Sequence, residues 1–259
     1  MKKAASFALG CKVNQYESEA IAELFAEKGY EIVGIDEEAD VYVINTCTVT
    51  NFGDKKSRQL IRKVKRQNEN AIVAVVGCYA QTAPKELMEI AGVNLVIGTK
   101  DRAQIVEMVE QYDRANGVEN HVSDIMKERV FEPLSIQKLA NRTRAYLKIQ
   151  DGCSQYCSYC IIPYARGPIR SREPQEVVAE VKRLAENGFK EVVLTGIHVA
   201  SYGKDRRDTS LLDILKQVHE VEGIERIRFS SIEPNVVTEE FAQTMAALPK
   251  VCDHFHLSL

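Results

Sequence analysis

Short β-like apolar runs alternate with amphipathic helical patterns along most of this chain, and that alternation decides its fold class. It argues for α/β structure built on parallel sheets. Lys3–Leu9 reads as a strand. Asn14-Gln15-Tyr16-Glu17 reads as a capping box opening a helix, with Ile21, Leu24 and Phe25 on its apolar face and Gly29 at its end. Val41–Ile44 and Ile72–Val76 are buried strands around a basic helix at Asp54–Arg66. A short helix at Pro84–Ile90, a strand at Leu95–Ile97 and a helix at Ala103–Tyr112 follow.

The rhythm is lost between Arg114 and Leu139, which are polar and contain Gly117 and Pro133. The expected organisation is therefore a domain at 1–113, a linker at 114–139 and a second domain at 140–259. The second alternation begins with a strand at Arg144–Ile149. Pro174 opens a helix, Glu191–Leu194 is a strand, and Ser210 with Asp213 caps a helix. Arg226–Ser230 is a strand, Glu239–Leu248 a helix and His254–Leu259 a last strand. A β/α layer that stops on a strand lacks a covering helix, so the second domain is expected to be incomplete.

Three cysteines, Cys153, Cys157 and Cys160, are spaced C-x3-C-x2-C in DGCSQYCSYC. Structural zinc prefers four ligands, usually as two separated pairs. Three thiolates can hold a [4Fe–4S] cluster at three irons and leave the fourth open for a small molecule. A zinc-binding or purely structural set of thiols is the bland alternative. Cys11, Cys47 and Cys78 are 36 and 31 residues apart, yet each follows a predicted strand: FALG-Cys11, VINT-Cys47 and VVG-Cys78. In an open parallel sheet those positions share one edge, where ligands bind. They form a second candidate three-cysteine site, against the alternative of three small buried hydrophobes. Cys252 matches neither set and reads as structural.

The 259 residues can hold two domains, and an apolar fraction of 45% supplies real cores. The net charge of −3 does not announce a nucleic-acid binder, and no apolar run is long enough for a membrane span. The N-terminus begins like a signal peptide but soon turns polar. Seven cysteines without a signal peptide point to the cytoplasm and to metal or catalytic thiols rather than disulfides.

The segments LGCKVNQYES, NTCTVT, VVGCYAQ, DGCSQYCSYCIIPYARG and LTGIHVASYG resemble the methylthiotransferase family of radical S-adenosylmethionine (SAM) enzymes. GCKVNQYES with NTCTVT is most similar to the branch that modifies N6-threonylcarbamoyladenosine at tRNA position 37. The resemblance implies an open parallel α/β domain with one cluster, then a radical SAM β/α barrel with another. It implies two [4Fe–4S] clusters, on Cys153, Cys157 and Cys160 and on Cys11, Cys47 and Cys78. The first would chelate SAM, whose cleavage gives a 5′-deoxyadenosyl radical that removes hydrogen from C2 of adenine; the second would carry sulfur. Partners would be the tRNA anticodon loop and a low-potential electron donor. The family's barrel continues past a strand like HFHLSL and a TRAM domain follows, so the resemblance, too, implies an incomplete barrel. Two alternatives within the family act on isopentenyladenosine in tRNA or on a ribosomal protein. A third is an inactive iron–sulfur-binding fragment.

By the same resemblance Thr195-Gly196 lies at the SAM amine. Tyr159 would pack beside the SAM adenine or fill the loop core, and Glu233 would contact SAM or serve as a cap or salt bridge. His198, His254 and His256 read as barrel-lining or core residues. The helix 54–66 carries Lys55, Lys56, Arg58, Arg62, Lys63, Lys65 and Arg66, either a solvated face or a tRNA phosphate patch. Arg142, Arg144, Arg166, Arg170 and Arg172 could extend that patch.

Overall fold

A computed structural model describes residues 1–48, 51–136 and 144–258, without the side chains of 51–54. Val49 and Thr50 of the NTCTVT motif, Arg142 and Leu259 lie outside the described residues. The chain forms two compact units. One comprises Met1–Glu128, Glu132–Leu134 and Gln155–Gly167; the other comprises Arg129–Phe131, Ser135–Ser154 and Pro168–Leu259.

The first unit is built on β1 (Lys3–Ala8), β2 (Glu31–Ile32), β3 (Val41–Thr46), β4 (Ile72–Gly77), β5 (Leu95–Val96) and β6 (Glu119–Asn120). They pair in the order β2-β1-β3-β4-β5-β6, parallel throughout. Its helices are α1 (Lys12–Glu27), α2 (Asn51–Gln67), α3 (Cys78–Thr82), α4 (Pro84–Met88) and α5 (Ile105–Gln111), with α6 (Ile162–Arg166) from the later segment. Strand side chains alternate between faces, so one run feeds two cores. Tyr42, Ile44, Val73 and Val75 pack with Ile61 and Val64 of α2 and Leu87 of α4. Val41, Val43, Ala74 and Val76 pack with Ile21 and Phe25 of α1 and Ile105, Val106 and Val109 of α5. Coverage of both faces is why these strands read as unbroken apolar runs.

The second unit holds a curled four-stranded sheet of β7 (Arg144–Asp151), β8 (Arg170–Ser171), β9 (Glu191–Gly196) and β10 (Arg226–Phe229), in the order β10-β9-β7-β8. β7, β9 and β10 are parallel, while β8 joins β7 antiparallel. The helices α7 (Pro174–Glu186), α8 (Leu211–His219) and α9 (Glu239–Ala247) follow the alternation. Pro174 sits in the first turn of α7, and the Ser210 hydroxyl accepts from Asp213 N at the start of α8, as the sequence predicts.

Three expectations change. First, α1 begins at Lys12, with Cys11 as its N-cap, so Asn14 and Glu17 are inside the helix and form no capping box. Both are buried and used elsewhere. Second, the stretch expected as a linker contributes β6 to the first sheet, and the Asp113 and Asp124 side chains cap short 3-10 turns at Arg114–Asn116 and Ile125–Lys127. Its polar composition reflects an edge position. Third, His254–Ser258 form no regular strand; Leu257 makes an isolated parallel bridge to Ile232. His254 and His256 are consequently exposed rather than core residues, and His256 Nδ1 lies 2.5 Å from the Ser231 hydroxyl.

Ile44 is fully buried at the centre of the first core. Ile44→Ala should lower stability by about 2–5 kcal/mol, the range for emptying a packed aliphatic site. Urea unfolding of the first unit reads this directly, and a loss below about 1 kcal/mol would contradict the packing described.

Candidate cluster and cofactor sites

β1, β3 and β4 are neighbours in the sheet and run the same way, so their C-terminal ends share an edge. Cys11, Cys47 and Cys78 leave from those ends. Glycine makes the approach possible. Gly10 has φ +96°, and a Cβ there would fall 2.6 Å from Cys47 Cβ and 2.7 Å from Cys47 Sγ. The Cys47 side chain therefore lies directly against the residue preceding Cys11. Gly77 has φ +94°, and a Cβ would fall 2.3 Å from Asn45 Oδ1. Only glycine gives both the backbone conformation and the clearance at these positions.

A buried polar bracket ties these loops together. Asn14 Nδ2 donates to Leu9 O at 2.7 Å and to Thr46 O at 2.9 Å, the carbonyls just before Cys11 and Cys47. Asn14 Oδ1 accepts from Arg166 Nη2 at 2.6 Å and stands 3.7 Å from the Cys11 sulfur. Arg166 Nη1 donates to Glu17 Oε1 at 2.5 Å, and its Nε donates to Cys78 Sγ at 3.1 Å. Glu17 Oε2 also pairs with Arg102 Nη1 at 2.6 Å, and Arg102 pairs with Glu132. Arg166, Arg102 and Glu17 are all fully buried. Two guanidiniums and two carboxylates balance, which is what makes their burial tolerable.

Burial pushes the Cys78 thiol up from its usual range; Arg166 opposes this, and the nearby Cys11 thiol adds to it. The structure thus gathers the three strand-end cysteine loops. Among the described residues, however, no group of three or more His, Cys, Asp or Glu side chains stands in metal-ligating arrangement. The donor chemistry suits a cluster: three cysteine sulfurs carried to one sheet edge, with an N–H donor at one of them.

Cys153 follows β7 in the second unit and is buried, while Cys157 and Cys160 lie in the segment 155–167 that clusters with the first. Cys160 N donates to Cys157 O at 2.9 Å, closing a tight turn, and Tyr156 just before it has φ +49°. Gln150 shapes the exit of β7: its amide donates to Asp151 O and Gly152 O, and its Oε1 accepts from His198 N at 2.8 Å. A Cβ on Gly196 would fall 2.6 Å from that Oε1, so the Thr195-Gly196 end of β9 lies tightly against β7.

Of the other sequence-predicted residues, Thr195 is buried. Tyr159 is 90% exposed, which rules out its filling the loop core. Glu233 makes no side-chain cap for the turn at Pro234–Val236 and instead pairs with His198 Nε2 at 3.0 Å. Arg166, Arg170 and Arg172 are buried, not part of a phosphate-facing surface. Each guanidinium meets an internal carboxylate instead: Glu17, Asp151 and Glu180 respectively. On α2, Arg58 donates to the Tyr79 hydroxyl and Lys63 pairs with Asp36, while Lys55, Lys56, Arg62 and Arg66 are exposed. The residues that sequence reasoning missed are Asn14, Glu17, Arg102, Glu132 and Arg166 as one bracket. Glu17 and Arg166 are 149 positions apart, and no local spacing signals such a pair.

Residues 3–98 match the family described as uncharacterized protein family UPF0004, and residues 147–259 match the radical SAM superfamily. The chain is 49% identical, over its whole length, to the threonylcarbamoyladenosine tRNA methylthiotransferase MtaB of Bacillus subtilis (strain 168). The chain belongs to the radical SAM methylthiotransferase family. Other family members include the Aquifex aeolicus protein of the same name, 41% identical over 99% of this chain. A Dictyoglomus thermophilum tRNA-2-methylthio-N(6)-dimethylallyladenosine synthase is 35% identical over 96%. The chain spans 58%, 62% and 57% of the lengths of these three relatives. In fold it is similar to the radical SAM methyltransferase TsrM of Kitasatospora setae, solved with cobalamin and a [4Fe–4S] cluster. That match has a TM-score of 0.62 at 16% identity and covers 96% of this chain and 57% of that one. No helix among the described residues is long and apolar enough to cross a membrane.

Glu17→Ala would leave two buried guanidiniums short of a carboxylate. Removing one partner of a buried ion pair costs about 3–5 kcal/mol, and a similar loss is expected here. Denaturant titration checks it; an effect under about 1 kcal/mol would show that the bracket does not hold the loops.

Proposed function

We propose that this chain acts in the transfer of a methylthio group to C2 of N6-threonylcarbamoyladenosine at position 37 of tRNA. The observation that carries the reading is the 49% identity, across the whole of this chain, to a relative named for that activity. In this reading Cys153, Cys157 and Cys160 hold one [4Fe–4S] cluster and Cys11, Cys47 and Cys78 hold another. Bound to the first cluster, SAM supplies the radical chemistry needed to functionalise an unactivated carbon.

The chain's own residues bind and orient. Gly196, half-buried at the end of β9, lets that strand end pack against Gln150, and its main-chain groups are those proposed to meet a ligand amine. The exposed Tyr159 ring offers a face on which an adenine can stack. Glu233, held by His198, supplies a fixed carboxylate near the same strand ends. The exposed cations Lys55, Lys56, Arg62 and Arg66 on α2 supply the phosphate-facing surface, with a steep salt dependence expected. The substrate base lies in the anticodon loop, single-stranded and open to stacking. A low-potential electron donor is required, and the setting is the cytoplasm.

A second reading is favoured by one finding: relatives named for dimethylallyladenosine match at 35% identity. Nucleoside mass spectrometry of tRNA from cells lacking the gene separates the two. Loss of the 2-methylthio mark from N6-threonylcarbamoyladenosine is the expected result. Its persistence, with loss from the dimethylallyl nucleoside instead, would transfer the assignment to the second reading.

A further inference from the structure

Arg166 is placed to act on the N-terminal cysteine site rather than on substrate. Resting on the two-cluster reading above, we infer that Arg166 is a positioning residue for a cluster held by Cys11, Cys47 and Cys78. It donates a hydrogen bond to the Cys78 sulfur and raises the reduction potential of that cluster. Arg166 Nε lies 3.1 Å from Cys78 Sγ. The rest of the guanidinium is fixed by Glu17 Oε1 at 2.5 Å, Glu17 Oε2 at 3.0 Å and Asn14 Oδ1 at 2.6 Å. A planar fork held from two sides cannot turn its Nε–H away from the sulfur, and a lysine ammonium, with three donors on one nitrogen, could not reproduce the four contacts that Arg166 makes from three.

A plain structural ion pair would need only Glu17. Two features go beyond that. The guanidinium contacts a cysteine sulfur, and it binds the same Asn14 whose amide holds the carbonyls of Leu9 and Thr46. Through Asn14 and its own Nε, one side chain touches the exit of all three cysteine-bearing strands. Arg166 also ends α6, in the segment carrying Cys157 and Cys160, and that segment is anchored nearby by Thr99 Oγ1 donating to Ala165 O at 2.7 Å. Hydrogen bonds and positive charge at cluster thiolates favour the reduced, more negative state, and so set the potential upward.

The test isolates the N-terminal site in the full chain by replacing Cys153, Cys157 and Cys160 with Ala. After anaerobic reconstitution, iron content, the EPR spectrum of the reduced cluster and its midpoint potential are compared among the parent, R166K and R166Q. R166K should retain iron but shift the midpoint to more negative potential and change the EPR g values. R166Q should shift it further. If a single variant does not fold, E17Q/R166M removes one buried charge of each sign and leaves Arg102 paired with Glu132; it, too, should show the lower midpoint. Parent-like midpoints and spectra in iron-loaded variants would overturn the inference alone. A parent that takes up no cluster in this background would remove the two-cluster reading and the inference with it.

Discussion

Everything at the first candidate site depends on one buried charge cluster. Arg166 and Arg102 share Glu17, Glu132 completes the balance, and Asn14 joins the bracket to the backbone before Cys11 and Cys47. A parallel sheet brings strand ends to a common edge but does not by itself fix the loops beyond them. Here two of the loops are fixed by hydrogen bonds to the Asn14 amide, and the third by a bond to the buried Arg166 guanidinium that holds Asn14 in turn. In a low-dielectric interior such a bracket holds only when every member has its partner. That requirement couples the conformations of three loops distant in sequence. It also explains why Gly10 and Gly77 stand where they do, since a side chain at either would strike the neighbouring loop.

The second unit uses the same logic with different residues. Gln150 lies at an irregularity in the pairing of β7 with β9, and its amide organises the turn into Cys153 while its carbonyl oxygen holds His198 N. Asp151, next along, is buried with Lys148 at 2.7 Å. Ser171 and Asp205 bond to each other, and Ser171 Oγ also accepts from Gly203 N. The strand ends that carry Cys153 and Thr195-Gly196 are thus set by internal polar contacts. Rigid strand ends of this kind suit a site whose task is to hold a small ligand in one orientation.

Much of this was legible from residues whose signal is local. The apolar runs Val41–Ile44 and Ile72–Val76 announce two-sided burial, Pro174 and Ser210 announce helix starts, and the cysteines after strands β1, β3 and β4 announce a shared edge. What was misread depended on partners far along the chain. Asn14 and Glu17 have the spacing of a capping box, but the helix starts earlier, at Lys12, and both side chains bond Arg166 instead. Arg166, Arg170 and Arg172 have the composition of a basic patch, yet each faces a buried carboxylate. The strand β6 was hidden because a two-residue edge strand in a polar stretch has no periodicity to read.

The central claim is that Cys11, Cys47 and Cys78 form a site for a second cluster. It is tested most directly by counting iron and sulfide, with Mössbauer spectroscopy, after anaerobic reconstitution of three proteins. These are the parent chain, its Cys11→Ala/Cys47→Ala/Cys78→Ala variant and its Cys153→Ala/Cys157→Ala/Cys160→Ala variant. The account predicts about eight irons per parent chain, in two four-iron clusters, and about half that in each variant. A parent chain with one cluster, or an N-terminal variant that keeps all of the parent's iron, would contradict it.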